Sequence, residues 1–507
     1  MNNTPSFYTI YNGVAVPLRE VPIVPFAQYR AMIISAVASG GRVVLMSGFP
    51  HSTLQLPHNG SIRVLCAVAW DEAGTLGLVF TDVENDYESL TPQCPQVHLF
   101  ERELWEQYGI VPQGHPWLKS VRFPSISGNG ITPIAGDTSF FELEGEEVHE
   151  VSVGPVHAGV IEPGHFRFQC HGENVYHLEI ALGYQHRGIE RMLQMPAYAS
   201  QRLLLAETIA GDTTIGHASA HVQIMECLAN VMVPPRALAL RGIALELERL
   251  ANHTGDLGAL SGDAGFLPTA SYCGRLRGDF LNMTALLCGS RFGRGMLCNG
   301  GVAFDADSAR LNELTKKLTA TYRDAHNAVE LLFNTASVMA RFEDTGSISS
   351  TTALELGLVG PAARACGIKK DIRSDFPSGI FNFALIPAVV WETGDVFARA
   401  FVRWLEIQQS VEFIQTQLTC MPEGPVCAAQ EGTMLPEYIA VSLIEGWRGE
   451  ICHCALTDKQ GNVSGYKVVD PSFHNWMGLA MSLRGQQISD FPLCNKSFNL
   501  SYCGHDL

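Results

Sequence analysis

Between about residues 188 and 420, apolar side chains recur at helical spacing over stretches far longer than a strand. No other feature limits the fold of this 507-residue chain as strongly. Within 242–253, Ile243, Leu247 and Leu250 fall on one helical face, and Glu246, Arg249 and His253 on another. Such a helix packs through its apolar side, and its charges need partners if they are buried too.

The flanks read differently. Residues 42–46, 61–68 and 76–80 are short β-branched runs expected as strands. Leu104, Trp105 and Tyr108 have the spacing of a short amphipathic helix within 100–110, stopped by Gly109. Pro124, Gly128, Gly130, Pro133 and Gly136 mark a linker over 124–137. Residues 138–180 read as extended segments turning at Pro155, Pro163-Gly164 and Gly172, and 440–507 as short strands and loops. The expected fold class is α+β. A small α/β domain covers 1–123, and a large, mainly helical domain with peripheral short-stranded sheets covers 138–507. The sequence shows no internal repeat and no low-complexity segment.

A net charge of −17 without a Lys/Arg cluster argues against nucleic acid as a partner. The longest uncharged apolar-rich run, 379–391, falls short of the roughly 20 residues that span a bilayer. Met1-Asn2-Asn3-Thr4-Pro5 lacks the basic start and apolar core of a secretory signal. The expected location is cytosolic, at a membrane only through partners. The 14 cysteines include no Cys-x-x-Cys, the tightest pair being Cys452-His453-Cys454. Most are expected as small buried hydrophobes, since zinc ribbons and cubane clusters need tight thiolate pairs. Gly289-Ser290-Arg291-Phe292-Gly293-Arg294-Gly295 lacks the Lys-Ser/Thr of a phosphate loop, and no dinucleotide fingerprint occurs. If a parent complex uses NADH, another subunit binds it.

His217 and His221 stand one helical turn apart, a spacing that can chelate zinc. Zinc peptidases also need a glutamate beside the first histidine, and position 218 is alanine. The plainer reading is a pair of polar histidines at an interface or cavity, and the functional reading is proton handling. Glu246, Arg249 and His253 read as a polar line through the helices, either structural or proton-handling.

Several motifs occur in one order along the chain. They are Glu101-Arg102-Glu103 with Tyr108-Gly109-Ile110 and His115-Pro116; Gly154-Pro155-Val156-His157; Glu162-Pro163-Gly164-His165-Phe166; and Tyr184-Gln185-His186-Arg187-Gly188-Ile189-Glu190. Further on come Glu246 to His253, Gly360-Pro361-Ala362-Ala363-Arg364, Gly394-Asp395-Val396-Phe397-Ala398-Arg399 and Arg448-Gly449-Glu450. Together they resemble two subunits shared by respiratory complex I and the membrane-bound nickel–iron hydrogenases of the formate hydrogenlyase type. The first set is similar to the smaller peripheral subunit, the rest to the catalytic large subunit.

The resemblance implies a redox site and also what it lacks. Hydrogenase members hold nickel and iron with two Cys-x-x-Cys pairs, thiolates being soft anionic donors. Anchored on His217, the first pair falls on Ala210 and Thr213. Anchored on Ser497 and Asp506, the second falls on Ser501 and Gly504. All four ligands are therefore expected to be absent, with Cys503 one residue off register. The complex I branch uses the same cavity for a quinone headgroup, with a histidine at the position of His157 and a tyrosine where this chain has Leu205. The Arg-Gly-x-Glu pattern implies that Glu190 lies by the cavity. The ending Gly504-His505-Asp506-Leu507 reads as no nickel-dependent proteolytic maturation.

The expected function is that of a subunit of a membrane-associated, ion-translocating oxidoreductase complex without a nickel–iron centre. A small iron–sulfur subunit packs against it and antiporter-like membrane subunits lie beneath, at the cytoplasmic face of the inner membrane. Electrons from the partner's cluster reach a quinone or an unidentified acceptor in a pocket lined by His157, Thr213 and Ser501, while Glu190, His217 and His253 handle protons. The alternatives are a catalytically silent scaffold and a hydrogenase with substitute ligands. An open polar cavity favours catalysis; one filled by side chains such as Leu205 favours the scaffold.

Overall fold

A computed structural model describes residues 6–51, 62–124, 134–428 and 432–507. Most of the linker expected at 124–137 lies outside the described residues, as does Ser61, the first residue of an expected strand. Strands β1 (Tyr8–Ile10) and β2 (Ala15–Pro17) precede helix α1 (Phe26–Ala38). The three expected strands then form β3 (Arg42–Pro50), β4 (Ile62–Trp70) and β5 (Thr75–Val83). They make an antiparallel sheet in the order β1-β5-β4-β3. Short strands β6 (Asp86–Glu88) and β7 (Val111–Gln113) pair in parallel on either side of α2 (His98–Tyr108) in sequence.

Helix α2 ends where expected, because Gly109 at φ 74° accepts the left-handed C-cap conformation. Its acidic face is buried along with its apolar face, which the amphipathic pattern did not show. Glu101 accepts from Ser89 Oγ at 2.6 Å and from the Leu90 amide at 2.8 Å. Glu106 accepts from the Val121 amide at 2.9 Å. The carboxylates satisfy loop amides that would otherwise be buried and unpaired.

Three strands, β8 (Val148–Val153), β9 (His165–His171) and β10 (Asn174–Ala181), form an antiparallel sheet. The helical body follows: α3 (Ile189–Gln194), α4 (Arg202–Glu207), α5 (Thr214–Leu228), α6 (Pro235–Asp263) and α7 (Leu267–Cys288). The two-residue strands β11 (Leu297–Cys298) and β12 (Gly301–Val302) lead to α8 (Ser308–Phe333). Four short helices, α9 (Ala336–Phe342), α10 (Ser350–Leu356), α11 (Gly360–Arg364) and α12 (Ile372–Asp375), precede α13 (Val396–Thr419). Helix α6 packs against α7 and α13, and its apolar stripe and charged stripe are both interior.

The region 440–507 is more regular than expected. It holds β13 (Tyr438–Gly446), β14 (Gly449–Thr457) and β15 (Val463–Val469), then α14 (Pro471–Ser482), α15 (Phe491–Phe498) and α16 (Tyr502–Asp506). Every residue of β14 is buried, so this strand lacks the alternation that reveals a strand with one solvent face. The sheet order is β15-β14-β13-β2, so β2 joins the C-terminal sheet. Val441, Cys452 and Leu456 share one core with Val44, Leu65 and Val79 of the N-terminal sheet. The fold is thus a mixed α+β arrangement in which the chain's first residues close its last sheet. Among the described residues, no helix is long and apolar enough to cross a membrane.

Candidate functional site

The Asp470-Pro471-Ser472 start of α14 positions a buried carboxylate. Asp470 Oδ1 caps the helix by accepting from the Ser472 amide at 2.8 Å, and Pro471 occupies the first turn, where no amide donor is needed. The other oxygen, Oδ2, accepts from His217 Nε2 on α5 at 3.0 Å. Both side chains are fully buried. Burial pushes the Asp470 carboxyl up, but the hydrogen bond from His217, together with the Arg448 charge, holds it below the usual range.

The polar chain continues inward. His217 Nδ1 meets His453 Nε2 at 3.1 Å, His453 Nδ1 meets Tyr466 Oη at 2.9 Å, and Tyr466 Oη meets His221 Nδ1 at 2.8 Å. Burial holds His221 down at about 3 and His453 well below its usual value, so both imidazoles are neutral at pH 7. With the single proton of His217 on Nε2, one assignment satisfies every contact. His221 donates to Tyr466, Tyr466 to His453, His453 to His217, and His217 to Asp470. Four hydrogen bonds then point one way and end on a carboxylate, as a proton wire requires. The histidines at 217 and 221 therefore lie in the interior rather than at a subunit interface.

On the register read from the sequence, the ligand positions of hydrogenase relatives fall on Ala210, Thr213, Ser501 and Gly504, and Gly504 lies against Asp470. Ala210 is a buried methyl group. Thr213 Oγ1 lies 3.2 Å from both Asp212 Oδ1 and Arg448 Nη1. Ser501 Oγ caps α16, accepting from the Gly504 amide at 2.9 Å. At Gly504 an added Cβ would sit 2.6 Å from Asp470 Oδ2. Arg448 ties the two loops together. Its guanidinium grips Asp212 at 2.6 and 2.8 Å and donates to the Asn499 carbonyl at 2.5 Å. Among the described residues, no group of three or more His, Cys, Asp or Glu is arranged to hold a metal ion. The donor set, a methyl, two engaged hydroxyls and a hydrogen, does not fit nickel and iron.

His157 joins the site through its loop. Its Nε2 bonds the Gly164 carbonyl at 2.8 Å, which fixes the loop rather than presenting a free donor. On the same loop, Glu162 Oε1 accepts from the Cys503 amide at 3.3 Å. Burial and the neighbouring Glu162 push the Cys503 thiol up to about 11. The outer side of the loop exposes Val156, Val160 and Ile161, at 75%, 86% and 60%. Leu205 packs with the cluster of Ile189, Leu193 and Ala206.

Two expected residues sit in separate networks. Glu190 pairs with Lys467 at 3.0 Å and accepts from the Val468 amide at 3.0 Å. Arg187 donates to the Thr208 and Ile209 carbonyls. Lys467 also meets Glu103, so Glu190 belongs to a buried ion cluster joining α2, α3 and β15. His253 donates to Glu406 at 2.9 Å within a wholly buried set that includes Arg249, Glu246, Arg364, Arg373 and Asp371. It touches the site through Trp447, which it meets edge-on at 6.1 Å and which donates to the Asp212 carbonyl at 2.9 Å. Sequence reasoning missed Asp470, Tyr466, Asp212 and the roles of His453 and Arg448. Only the capping signature of Asp470 was readable locally.

Comparison with known proteins identifies the family. Residues 263–442 match the model of the respiratory-chain NADH dehydrogenase 49 kDa subunit, and residues 58–126 that of its 30 kDa subunit. The carbon monoxide-induced hydrogenase of Rhodospirillum rubrum is 30% identical over 69% of this chain and 97% of its own length. Formate hydrogenlyase subunit 5 of Escherichia coli K12 is 28% identical over 85% of this chain and 79% of its own. An NADH-quinone oxidoreductase subunit of Herpetosiphon aurantiacus is 28% identical over 69% of this chain and 95% of its own. The chain belongs to the family of the respiratory-chain NADH dehydrogenase 49 kDa subunit and its hydrogenase relatives, and it carries a segment of the 30 kDa subunit type in the same polypeptide.

Proposed function

We propose that the chain is the acceptor-site subunit of a membrane-associated, ion-translocating oxidoreductase complex, delivering electrons to a quinone or another organic acceptor without a nickel–iron centre. Its relatives include both hydrogenases and a quinone oxidoreductase subunit, so the choice between them rests on this chain's own residues. The observation that carries the reading is the wire from His221 to Asp470, whose end lies against Gly504, one of the positions that the sequence register matches to the ligand positions of hydrogenases. Reducing a quinone consumes protons as well as electrons, and a buried chain of alternating donors and acceptors can supply them. His217 is the proton-handling residue at the site. His253 and Glu190 are members of the adjoining buried networks.

On this reading the helical part has the architecture of a hydrogenase large subunit, with His157, Thr213 and Ser501 lining the cavity. A small iron–sulfur subunit covers the apolar loop of Val156, Val160 and Ile161, since an exposed patch of this kind is an interaction surface. Antiporter-like membrane subunits lie beneath, and the whole sits on the cytoplasmic face of the inner membrane. A silent scaffold is the second reading, favoured by the Arg448 guanidinium that bridges the two loops.

The test uses Asp470→Asn and Tyr466→Phe in the natively assembled complex, with turnover measured from a reduced dye to a soluble quinone. Breaking the wire is expected to lower turnover about 10²-fold or more. Wild-type turnover in both assembled variants would overturn the proposal. If the wild-type complex itself shows no turnover, the scaffold reading stands.

A further inference from the structure

Outside the wire, two cysteines meet near the surface. Cys298 ends β11, and its strand partner Gly301 is bridged on its other side to Cys427. The backbones are pinned by Val302 N to Val426 O at 2.8 Å and Ala428 N to Gly300 O at 2.9 Å. Gly301 makes this approach possible, because a Cβ there would lie 2.1 Å from the Val426 carbonyl oxygen. The two Sγ atoms are 3.8 Å apart, in contact but unbonded. Among the described residues, no third His, Cys, Asp or Glu completes a metal-binding set around them.

We propose that Cys298 and Cys427 form a redox-active dithiol that closes to a disulfide when the protein meets a peroxide. Cys427 is the exposed member and reacts first. Its sulfur attacks a peroxide oxygen and the O–O bond breaks, leaving a sulfenic acid and one water. Cys298 then attacks that sulfur, the S–O bond breaks, and a second water leaves as the S–S bond forms. The two thiols lose two electrons and two protons, and hydrogen peroxide becomes two waters. A dithiol reductant reverses the change by thiol exchange. Sulfurs already in contact need only side-chain rotation and a small backbone shift to reach disulfide geometry.

The bond joins positions 129 residues apart, stitching the α7–α8 connection to the segment after α13. The Cys298 loop is also held from within. Arg241 donates to the Cys298 and Gly301 carbonyls at 2.8 Å, and Glu226 accepts from the Gly300 amide at 2.7 Å. Arg241 and Glu226 line a cleft of about 690 Å³ between α5, α6 and the segment containing Phe376 to Phe383. Oxidation therefore braces one wall of that cleft.

The test is isotope-coded thiol alkylation of the native complex, reduced or peroxide-treated, with peptide mass spectrometry under non-reducing conditions. The expected result is a Cys298–Cys427 crosslinked peptide and the loss of two alkylatable thiols per chain, restored by dithiothreitol. Cys420, exposed and outside the pair, stays alkylatable and serves as the control. In the Cys298→Ser variant, Cys427 is expected to be trapped as a dimedone adduct instead. Full alkylation of both cysteines after peroxide, or Cys420 oxidising equally fast with no 298–427 crosslink, would overturn the proposal.

Discussion

Replacing Glu406 by glutamine removes the charge at the centre of the largest buried ion network. The carboxylate accepts from Arg249 Nη1 at 3.1 Å, His253 Nε2 at 2.9 Å, and Arg364 Nε and Nη2 at 3.0 and 2.7 Å. All four side chains are fully buried, so water cannot replace what is lost. Burial pushes the Glu406 carboxyl up, but Arg364, His253 and Arg249 pull it well below its ordinary value. A glutamine in its place aims an NH2 group at a ring of donors. Losing one partner of a buried pair costs about 3–5 kcal/mol, and Arg249 and Arg364 retain Glu246 and Glu445 as partial compensation. The expected cost is about 4 kcal/mol. At roughly 2 °C per kcal/mol for a body of this size, the melting temperature falls by about 8 °C. Because the folded-state pKa is depressed, this stability is present above the unfolded carboxyl range and is lost only as pH falls through the folded value. Calorimetry of the purified chain at pH 7 measures the shift. A Glu406→Gln protein melting within about 2 °C of wild type would refute the reasoning.

Other expectations follow from the same geometry. Glu248 accepts from the Ile215 and Gly216 amides at the start of α5, yet burial lifts its carboxyl to about 8. It is therefore protonated at pH 7, and infrared spectra should show a carboxylic acid band that Glu248→Gln removes. The stability from its raised pKa is complete below the unfolded carboxyl value and is lost as pH rises through about 8. Gly504→Ala should cost about 1–3 kcal/mol, because its Cβ meets Asp470 Oδ2, and in an Asp470→Ala background the same substitution should cost clearly less, as a double-mutant cycle by denaturant titration would show. Restoring cysteines at 210, 213, 501 and 504 should leave the chain without nickel by elemental analysis while Asp470 keeps its place, since residue 504 has no room for a side chain.

What was legible in the sequence was local. The stripe of Ile243, Leu247 and Leu250, the stop at Gly109 and the β-branched runs before residue 83 are near-neighbour patterns, and the structure follows them. The interior carboxylates were not legible. Glu101 and Glu106 look like the wet side of a surface helix until the loops they cap fold back over them. Asp470 shows the divide within one residue. Its helix-capping oxygen is written in Asp-Pro-Ser, whereas the other oxygen's partner is 253 residues away. At Ser501 the motif register gives the position, whereas the capping of α16 by its hydroxyl is visible only in the structure. His217 and His221 share α5 and were readable as a pair, but His453, Tyr466 and Asp470 sit on β14, on β15 and at the start of α14, and no spacing rule links these to that helix.

The most direct test of the acceptor-site account is metal analysis of the natively purified complex together with extraction and quantification of bound quinone, both normalised to this chain. The account predicts nickel far below one atom per chain and quinone near one molecule per chain. Nickel near one per chain would contradict it and restore a hydrogenase.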